Sequence, residues 1–107
     1  PWLKEHPPRF TWVTRNVFLP PVNTLPDHPI VDTVTTALGQ VGRTAEIVGF
    51  TAASELSWYA EQGIPGVIFG PGSIAQAHSP NEFVLIDEIK DAARTMALAA
   101  AAWCGEA

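Results

Sequence analysis

The stretch that decides the fold is residues 63–84, GIPGVIFGPGSIAQAHSPNEFV. Within it, residues 65–69 form a compact apolar run with two β-branched side chains, which is typical of a buried strand. Gly70-Pro71-Gly72 follows at once, and two glycines around a proline predict a sharp turn. In open α/β sheets, functional groups collect in the loops beyond the carboxyl ends of the strands. The loop at residues 70–80 is therefore the first candidate for chemistry.

Two helices and a second strand are predicted before this stretch. The first helix starts with Asp27 as its N-cap and stops at Gly42. Its apolar stripe comprises Ile30, Val34, Leu38 and Val41. Residues 45–50 form the second strand candidate, and Ser54 can cap a helix over residues 55–62.

A long helix is predicted after the stretch, over residues 87–103, with Asp87 as its N-cap. Its many alanines are good helix formers. The face expected to be buried comprises Ile89, Ala93, Met96, Ala97, Ala100 and Trp103. The order helix–strand–helix–strand–loop–helix favours an α/β fold in which a parallel sheet carries helices on its faces.

The first 29 residues are built differently, because they hold seven of the ten prolines. These prolines exclude a long helix or a central strand there. One strand is predicted at residues 9–15, and a lone strand leaves its backbone donors and acceptors without partners. It is therefore expected to pair with something outside the chain or to lack order. The chain begins at Pro1 without a signal-peptide pattern, so we expect a piece of a longer protein or a processed product.

The composition excludes several classes of protein. With 47% apolar and 16% charged residues, the chain can bury a core. A net charge of −5 without a basic cluster excludes a nucleic-acid partner. The longest apolar run, residues 96–104, is about half of the ~20 residues that a membrane span needs, which excludes a membrane partner. The single cysteine, Cys104, cannot form an internal disulfide and fits a reducing compartment.

His78 is the candidate functional side chain of the loop. A neutral imidazole is the commonest metal ligand and the usual general base near neutral pH, but a histidine that stabilises a turn fits the same pattern. Ser79 and Glu82 have the spacing of a capping box, which is a structural explanation for the glutamate. His6 and His28 both precede prolines in connectors, where structural or solvent roles are expected. A zinc site takes three or four protein ligands, so these residues alone leave both interpretations of His78 open.

Residues 63–84 closely resemble the C-terminal signature of a family of two-metal amidohydrolases and peptidases. That family includes acetylornithine deacetylase, succinyl-diaminopimelate desuccinylase, aminoacylases and glutamate carboxypeptidase. Members typically carry G-I-P-x-v-x-F-G-P-G, then A-H-[ST]-x-[DN]-E-[FY]-V and a long final helix, and all of these are present here in order. The resemblance implies that residues 27–107 are the C-terminal part of a zinc-peptidase-like α/β sandwich catalytic domain. Residues 1–26 would be the exit strand of a small α+β lid (dimerisation) domain and its connector.

The resemblance also implies an activity, the metal-dependent hydrolysis of the amide bond of an N-acyl amino acid or a short peptide. In such enzymes the histidine of A-H-[ST], here His78, is a ligand of one of two zinc or cobalt ions. The family's catalytic acids and its other ligands have no counterpart in these 107 residues. No catalytic residue is therefore assigned, and the isolated chain is expected to be inactive.

Further expectations follow from the same resemblance. The residues expected near the substrate, with backbone donors for a carboxylate or an oxyanion, are Ala53, Ser54, Gly70, Gly72 and Ser73. Glu82 is interpreted as a structural acid that holds the His78 loop. The implied partners are the substrate, the rest of the same polypeptide and a second subunit of a homodimer, in the cytoplasm. The alternative hypothesis is a non-catalytic binding or assembly module, whose strand at residues 9–15 would offer its edge to another chain.

Overall fold

Helices account for the regular structure of the described chain. The structure, a computed structural model, describes residues 1–9, 11 and 19–105. Its α-helices are α1 (Trp2–Glu5), α2 (Pro29–Gln40), α3 (Leu56–Glu61) and α4 (Ile86–Cys104), with a 3₁₀ helix at Ile74–Gln76. The predicted helices over residues 55–62 and 87–103 are confirmed to within one residue at each end.

The caps differ from the predicted ones at three helices. At α3 the N-cap is Glu55 rather than the predicted Ser54. At α2, His28 takes the N-cap position that was predicted for Asp27, and its Nδ1 accepts a hydrogen bond of 3.2 Å from the Ile30 N–H. Pro29 occupies the first helical position and has no N–H. The Ile30 N–H is therefore the first backbone donor of the helix that the imidazole nitrogen can satisfy. At α4 the N-cap is Leu85 rather than Asp87, which lies in the first turn. An acid in that turn still interacts favourably with the helix dipole.

The packed part of the described chain is the contact between α2 and α4. The side chains buried in the two helices are Val31 and Ala37 of α2, and Ala92 and Thr95 of α4. All four are small or β-branched, which lets the helix axes approach closely. The Thr95 hydroxyl would be costly to bury without a partner, and it donates to the Asp91 carbonyl oxygen at 2.8 Å.

An ion pair adds to this contact at its edge. The Arg43 guanidinium, just beyond α2, lies 2.7 Å from the Asp91 carboxylate of α4. Its hydrogen bond with Asp91 raises the pKa of Arg43 above its ordinary value. Arg43 is largely exposed, so the pair orients the end of α2 more than it stabilises the fold.

The prediction of which face of α4 is buried is wrong. Ile89, Met96 and Trp103 are 46%, 54% and 49% exposed, and the alanines of that stripe are exposed as well. The reason is that α2 packs on the neighbouring face, around Ala92 and Thr95, where small side chains allow close approach. Ile89, Met96 and Trp103 are left on the exposed side of α4.

The predicted strands are not formed in the part of the chain that the structure describes. Residues 45–50 and 65–69 are neither helical nor paired in a ladder. The strand predicted at residues 9–15 lies almost entirely outside the described residues. The sheet, the sandwich and the lid's exit strand therefore remain expectations. Strands need backbone partners from other segments, and two short apolar segments without such a partner do not make a sheet.

The chain exposes more surface than a compact domain of its size. Its accessible surface is 9167 Å², whereas a folded monomer of the same mass exposes about 5,800 Å². Its radius of gyration is 17.8 Å, against about 13 Å for a compact domain of 100 residues. Large apolar side chains are consequently exposed on several elements. Among the described helices, none has the length and apolar character to cross a membrane.

Candidate functional site

The candidate site is the loop between the apolar segment at residues 65–69 and α4. It opens with the Gly70-Pro71-Gly72 turn, and Gly72 has a φ of +85°. Glycine adopts this left-handed conformation without the steric penalty of a Cβ. The Gly72 N–H donates a hydrogen bond of 3.1 Å to the Glu88 carboxylate in the first turn of α4. The turn is thus attached to the start of the last helix.

His78 lies at the other end of the loop, beyond the 3₁₀ helix. Its φ is +63°, and it is the one non-glycine residue with a positive φ in the described part of the chain. Histidine is among the few residue types enriched in this region of backbone space. The residue is exposed, so its imidazole is accessible to a ligand.

Glu82 holds the backbone of His78. The His78 N–H donates a hydrogen bond of 3.2 Å to Glu82 Oε2. No helix begins at Ser79, so the predicted capping box is not formed, and the carboxylate binds the backbone one residue earlier. This contact agrees with the interpretation of Glu82 as the acid that holds the loop.

The two serines assigned to substrate binding have local structural roles for their hydroxyl groups. Ser54 Oγ accepts a hydrogen bond from the Leu56 N–H at the start of α3, at 3.2 Å. Ser73 Oγ accepts one from the Ala75 N–H at the start of the 3₁₀ helix, at 3.3 Å. Ser79 Oγ is buried and has no hydrogen-bond partner among the described residues.

A cleft of about 740 Å³ reaches residues 66–69, the segment that leads into the loop. Its walls are mainly apolar and include residues 19–24, 47–54 and 66–69, with Val31, Val34 and Leu56. Thr24 joins two of these walls by donating a hydrogen bond of 2.7 Å to the Gly66 carbonyl oxygen. Gly66 is close-packed, since a Cβ there would lie 2.6 Å from Leu56 Cδ1.

The structure divides the predicted site residues into two groups. Ala53 and Ser54 line the cleft. Gly70, Gly72, Ser73 and His78 do not line it and lie in the loop instead. The described residues do not bring the two groups around one pocket, and the substrate-binding assignment stays a prediction.

The described residues supply one plausible metal donor rather than a metal site. No group of three or more His, Cys, Asp and Glu side chains comes together in residues 1–9, 11 and 19–105. His28 caps α2 and His6 stacks on Trp2, with ring centroids 4.7 Å apart, so both have structural roles, as predicted. His78 fits a divalent metal as one accessible imidazole ligand, and the remaining ligands would have to come from elsewhere.

Glu88, in the first turn of α4, is the residue in contact with the loop that could not be predicted from the sequence. It lies 16 positions after Gly72, and its contact with the turn depends on where α4 begins. An acid in the first turn of a helix is usually explained by the helix dipole alone. The sequence therefore gave no separate signal for this hydrogen bond.

Comparisons with known proteins agree with one another on the family. The model of "Peptidase family M20/M25/M40" matches residues 9–102. The N-formyl-4-amino-5-aminomethyl-2-methylpyrimidine deformylase of Bacillus subtilis (strain 168) is 31% identical over 110 residues, which cover 96% of this chain and 26% of that protein. The deformylase of the same name from Halalkalibacterium halodurans is 31% identical over 112 residues, with 97% and 26% covered.

A third relative matches a shorter region. The acetylornithine deacetylase of Photorhabdus laumondii subsp. laumondii is 38% identical over 58 residues, which cover 54% of this chain and 14% of that protein. No solved structure matches the chain. The chain spans about a quarter of the length of the two deformylases.

Proposed function

The chain belongs to peptidase family M20/M25/M40, and from this membership we propose that it is the C-terminal part of a metal-dependent amidohydrolase. Its curated relatives are named as a deformylase and a deacetylase, both of which remove an acyl group from nitrogen. The proposed reaction is the hydrolysis of the amide bond of an N-acyl amino acid or a short peptide. The chain covers only a quarter of the deformylases, so the activity belongs to the complete polypeptide.

In this proposal His78 is one metal ligand of the complete enzyme. The observation that carries it is the geometry of the loop, in which an exposed imidazole is presented from a left-handed backbone that Glu82 holds. A backbone held in a sparsely populated conformation is a common mark of a functional position. Two divalent ions, zinc or cobalt, are the proposed cofactors, with the other ligands in the rest of the polypeptide.

The metal ions would polarise the substrate carbonyl and activate a water molecule for the hydrolysis. The contribution of this chain would be to hold one ligand and to shape the substrate pocket. Backbone N–H groups at Gly70 and Ser73, together with those at Ala53 and Ser54, would donate to a substrate carboxylate or an oxyanion. The Gly72 N–H already donates to Glu88, so Gly72 would lie beside the substrate without donating to it. The hydroxyl groups of both serines already accept backbone hydrogen bonds at the starts of helices, so only their backbone groups are assigned to the substrate.

The proposed fold is the end of a zinc-peptidase-like α/β sandwich. Residues 1–26 would be the last part of a lid domain and the connector that follows it. Its support is the cleft, whose walls include residues 47–50 and 66–69, which belong to the two predicted strands. Strands from the rest of the polypeptide would complete the sheet there and cover the exposed side chains of Ile47, Val48 and Ile68. A homodimer and a cytoplasmic location complete the proposal.

Assay of the complete polypeptide tests the proposed function. Purified enzyme, with zinc or cobalt added, is incubated with a panel of N-formyl and N-acetyl amines and amino acids, and the free amine is measured. Turnover that a chelator abolishes and added metal restores is the expected result. Turnover that persists unchanged after complete removal of the metal would contradict the proposal.

A further inference from the structure

Both left-handed positions of the site loop are bound by a carboxylate. At Gly72 the backbone N–H donates to Glu88 at 3.1 Å, and at His78 it donates to Glu82 at 3.2 Å. The two acids come from different places, since Glu82 follows the loop directly and Glu88 belongs to α4. The two left-handed positions of the loop are therefore each held by a charged acceptor.

The contact matters most at His78, because a left-handed backbone is unfavourable for a residue that has a Cβ. Such a conformation persists only when the surroundings determine it. A hydrogen bond from an N–H to a carboxylate is charge-assisted and stronger than one between neutral groups. The backbone angles of His78 also set the direction of its Cα–Cβ bond, so the acceptor that stabilises these angles helps to determine where the imidazole points.

We propose that Glu82 and Glu88 are positioning residues for the metal ligand and for the turn, an inference that rests on the proposed role of His78. Glu82 fixes the backbone from which the imidazole extends. Glu88 fixes the Gly70-Pro71-Gly72 turn to the first turn of α4. Neither acid is assigned a contact with metal or substrate, and together they hold the turn and the imidazole in one relative arrangement.

The test uses zinc as the probe and the complete polypeptide as the protein. Zinc affinity is measured by competition with a chelator, and kcat, KM and thermal unfolding are measured on the same samples. Glu82→Ala is expected to weaken the more weakly held zinc ion by about 10- to 100-fold, the usual effect of removing a group that orients a ligand. Glu82→Gln is expected to retain most of the affinity, because its amide oxygen can still accept from the His78 N–H. Glu88→Ala is expected to raise KM and to leave zinc affinity unchanged.

Asp87→Ala is the matched control. Asp87 lies beside Glu88 in the first turn of α4, is 81% exposed and pairs with Lys90 rather than with the loop. This variant is expected to keep the parent's zinc affinity and KM. If Glu82→Ala does not fold, Glu82→Asp replaces it, because a side chain shorter by one methylene withdraws the acceptor, and the same loss is expected.

Two outcomes would overturn the proposal. Parent-like zinc affinity in Glu82→Ala would show that the hydrogen bond does not position His78. An equal loss in Glu82→Gln and Glu82→Ala would show that the charge is required rather than the acceptor. His78→Ala separates this inference from the proposed function. If His78→Ala keeps both metal ions, the proposed function is wrong. If His78→Ala loses one ion while Glu82→Ala binds zinc like the parent, only the proposed positioning role of Glu82 is wrong.

Discussion

The α2–α4 pair and the two apolar segments at residues 45–50 and 65–69 show opposite behaviour in one chain. The two helices form over nearly their full predicted lengths and bury side chains such as Ala37 and Ala92 to 3% and 5% exposure. The two segments form no ladder in the described chain, and Val48 is 70% exposed. Both regions are rich in apolar residues, so composition does not explain the difference.

The difference lies in where each element finds its hydrogen bonds. A helix satisfies its backbone within four residues, whereas a strand depends on a segment that is distant in sequence. The helices need only each other, and the segments need neighbours that these 107 residues do not provide in the described structure. The predictions below test this division between a helical part that forms by itself and a sheet and site that depend on the rest of the polypeptide.

The largest expected effect is on activity, which should be absent from the isolated 107-residue chain. Two-metal hydrolysis needs two ions about 3.5–4 Å apart and a base beside the attacking water. The described residues bring one accessible imidazole and no cluster of ligands. The measurement is release of free amine from N-acylated amino acids with zinc or cobalt added, beside the complete polypeptide. Turnover that survives rigorous purification of the isolated chain would mean that the site has been placed wrongly.

The next largest effect is on stability, and it separates two faces of α4. In the isolated chain, Ala92→Asp should be destabilising by several kcal/mol, because it buries a carboxylate without a partner. Met96→Asp introduces the same residue into the same helix on an exposed face, and should change stability by no more than about 0.5 kcal/mol. Thermal unfolding monitored by circular dichroism compares the two.

The same pair of variants tests what covers the exposed face. In the complete polypeptide, Met96→Asp should become strongly destabilising, because the proposed sandwich covers that side of α4. If Met96→Asp is as harmless there as in the isolated chain, the exposed stripe is a true outer surface and the proposed packing is wrong.

Hydrogen exchange should show a smaller and graded effect. In the isolated chain, amides in α2 and α4 should exchange more slowly than those of residues 45–50 and 65–69, since protection follows local stability. In the complete polypeptide the two segments should become protected as their strands pair. If the segments are already strongly protected in the isolated chain, as strongly as in the complete polypeptide, they find their partners within the 107 residues.

The smallest effect is expected at the edge of the helical pair. Arg43→Ala removes the ion pair with Asp91 and should lower the melting temperature slightly at low salt, with the difference vanishing at high salt. The pKa of Arg43 is raised, so its contribution is fully present below the ordinary arginine pKa and is lost only at higher, strongly alkaline pH. The effect should therefore not change with pH near neutrality. A marked change between pH 6 and pH 8 would assign the contribution to another group.

The comparison also explains how far the sequence could predict this structure. The approximate helix ends were predictable because glycines and periodicity are local signals, and Gly63, with a φ of +73°, ends α3 where expected. The N-cap residues themselves differ from the predicted ones by one or two positions. The buried face of α4 was not predictable, because Ile89 and Met96 are as apolar as a core requires and nothing local indicates that α2 contacts Ala92 instead. Which face is buried depends on the partner.

For the candidate site, the sequence could suggest residues of the loop but could not supply their geometry. His78 and the turn were found through motif spacing, and Glu82 through its fixed distance from the histidine. The left-handed backbone of His78 and the bond from Gly72 to Glu88 depend on the path of the loop and the start of α4. Neither leaves a periodic or capping pattern that could be recognised beforehand.

The central claim is that this chain supplies one metal ligand, His78, to a two-metal enzyme, and metal content tests it most directly. The complete polypeptide and its His78→Ala variant are loaded with zinc, passed through a desalting column and analysed for metal and protein. The account predicts about two ions per chain in the parent and about one in the variant, with turnover lost and the helical content of α2 and α4 retained. Two ions per chain in a folded, active His78→Ala enzyme would contradict it.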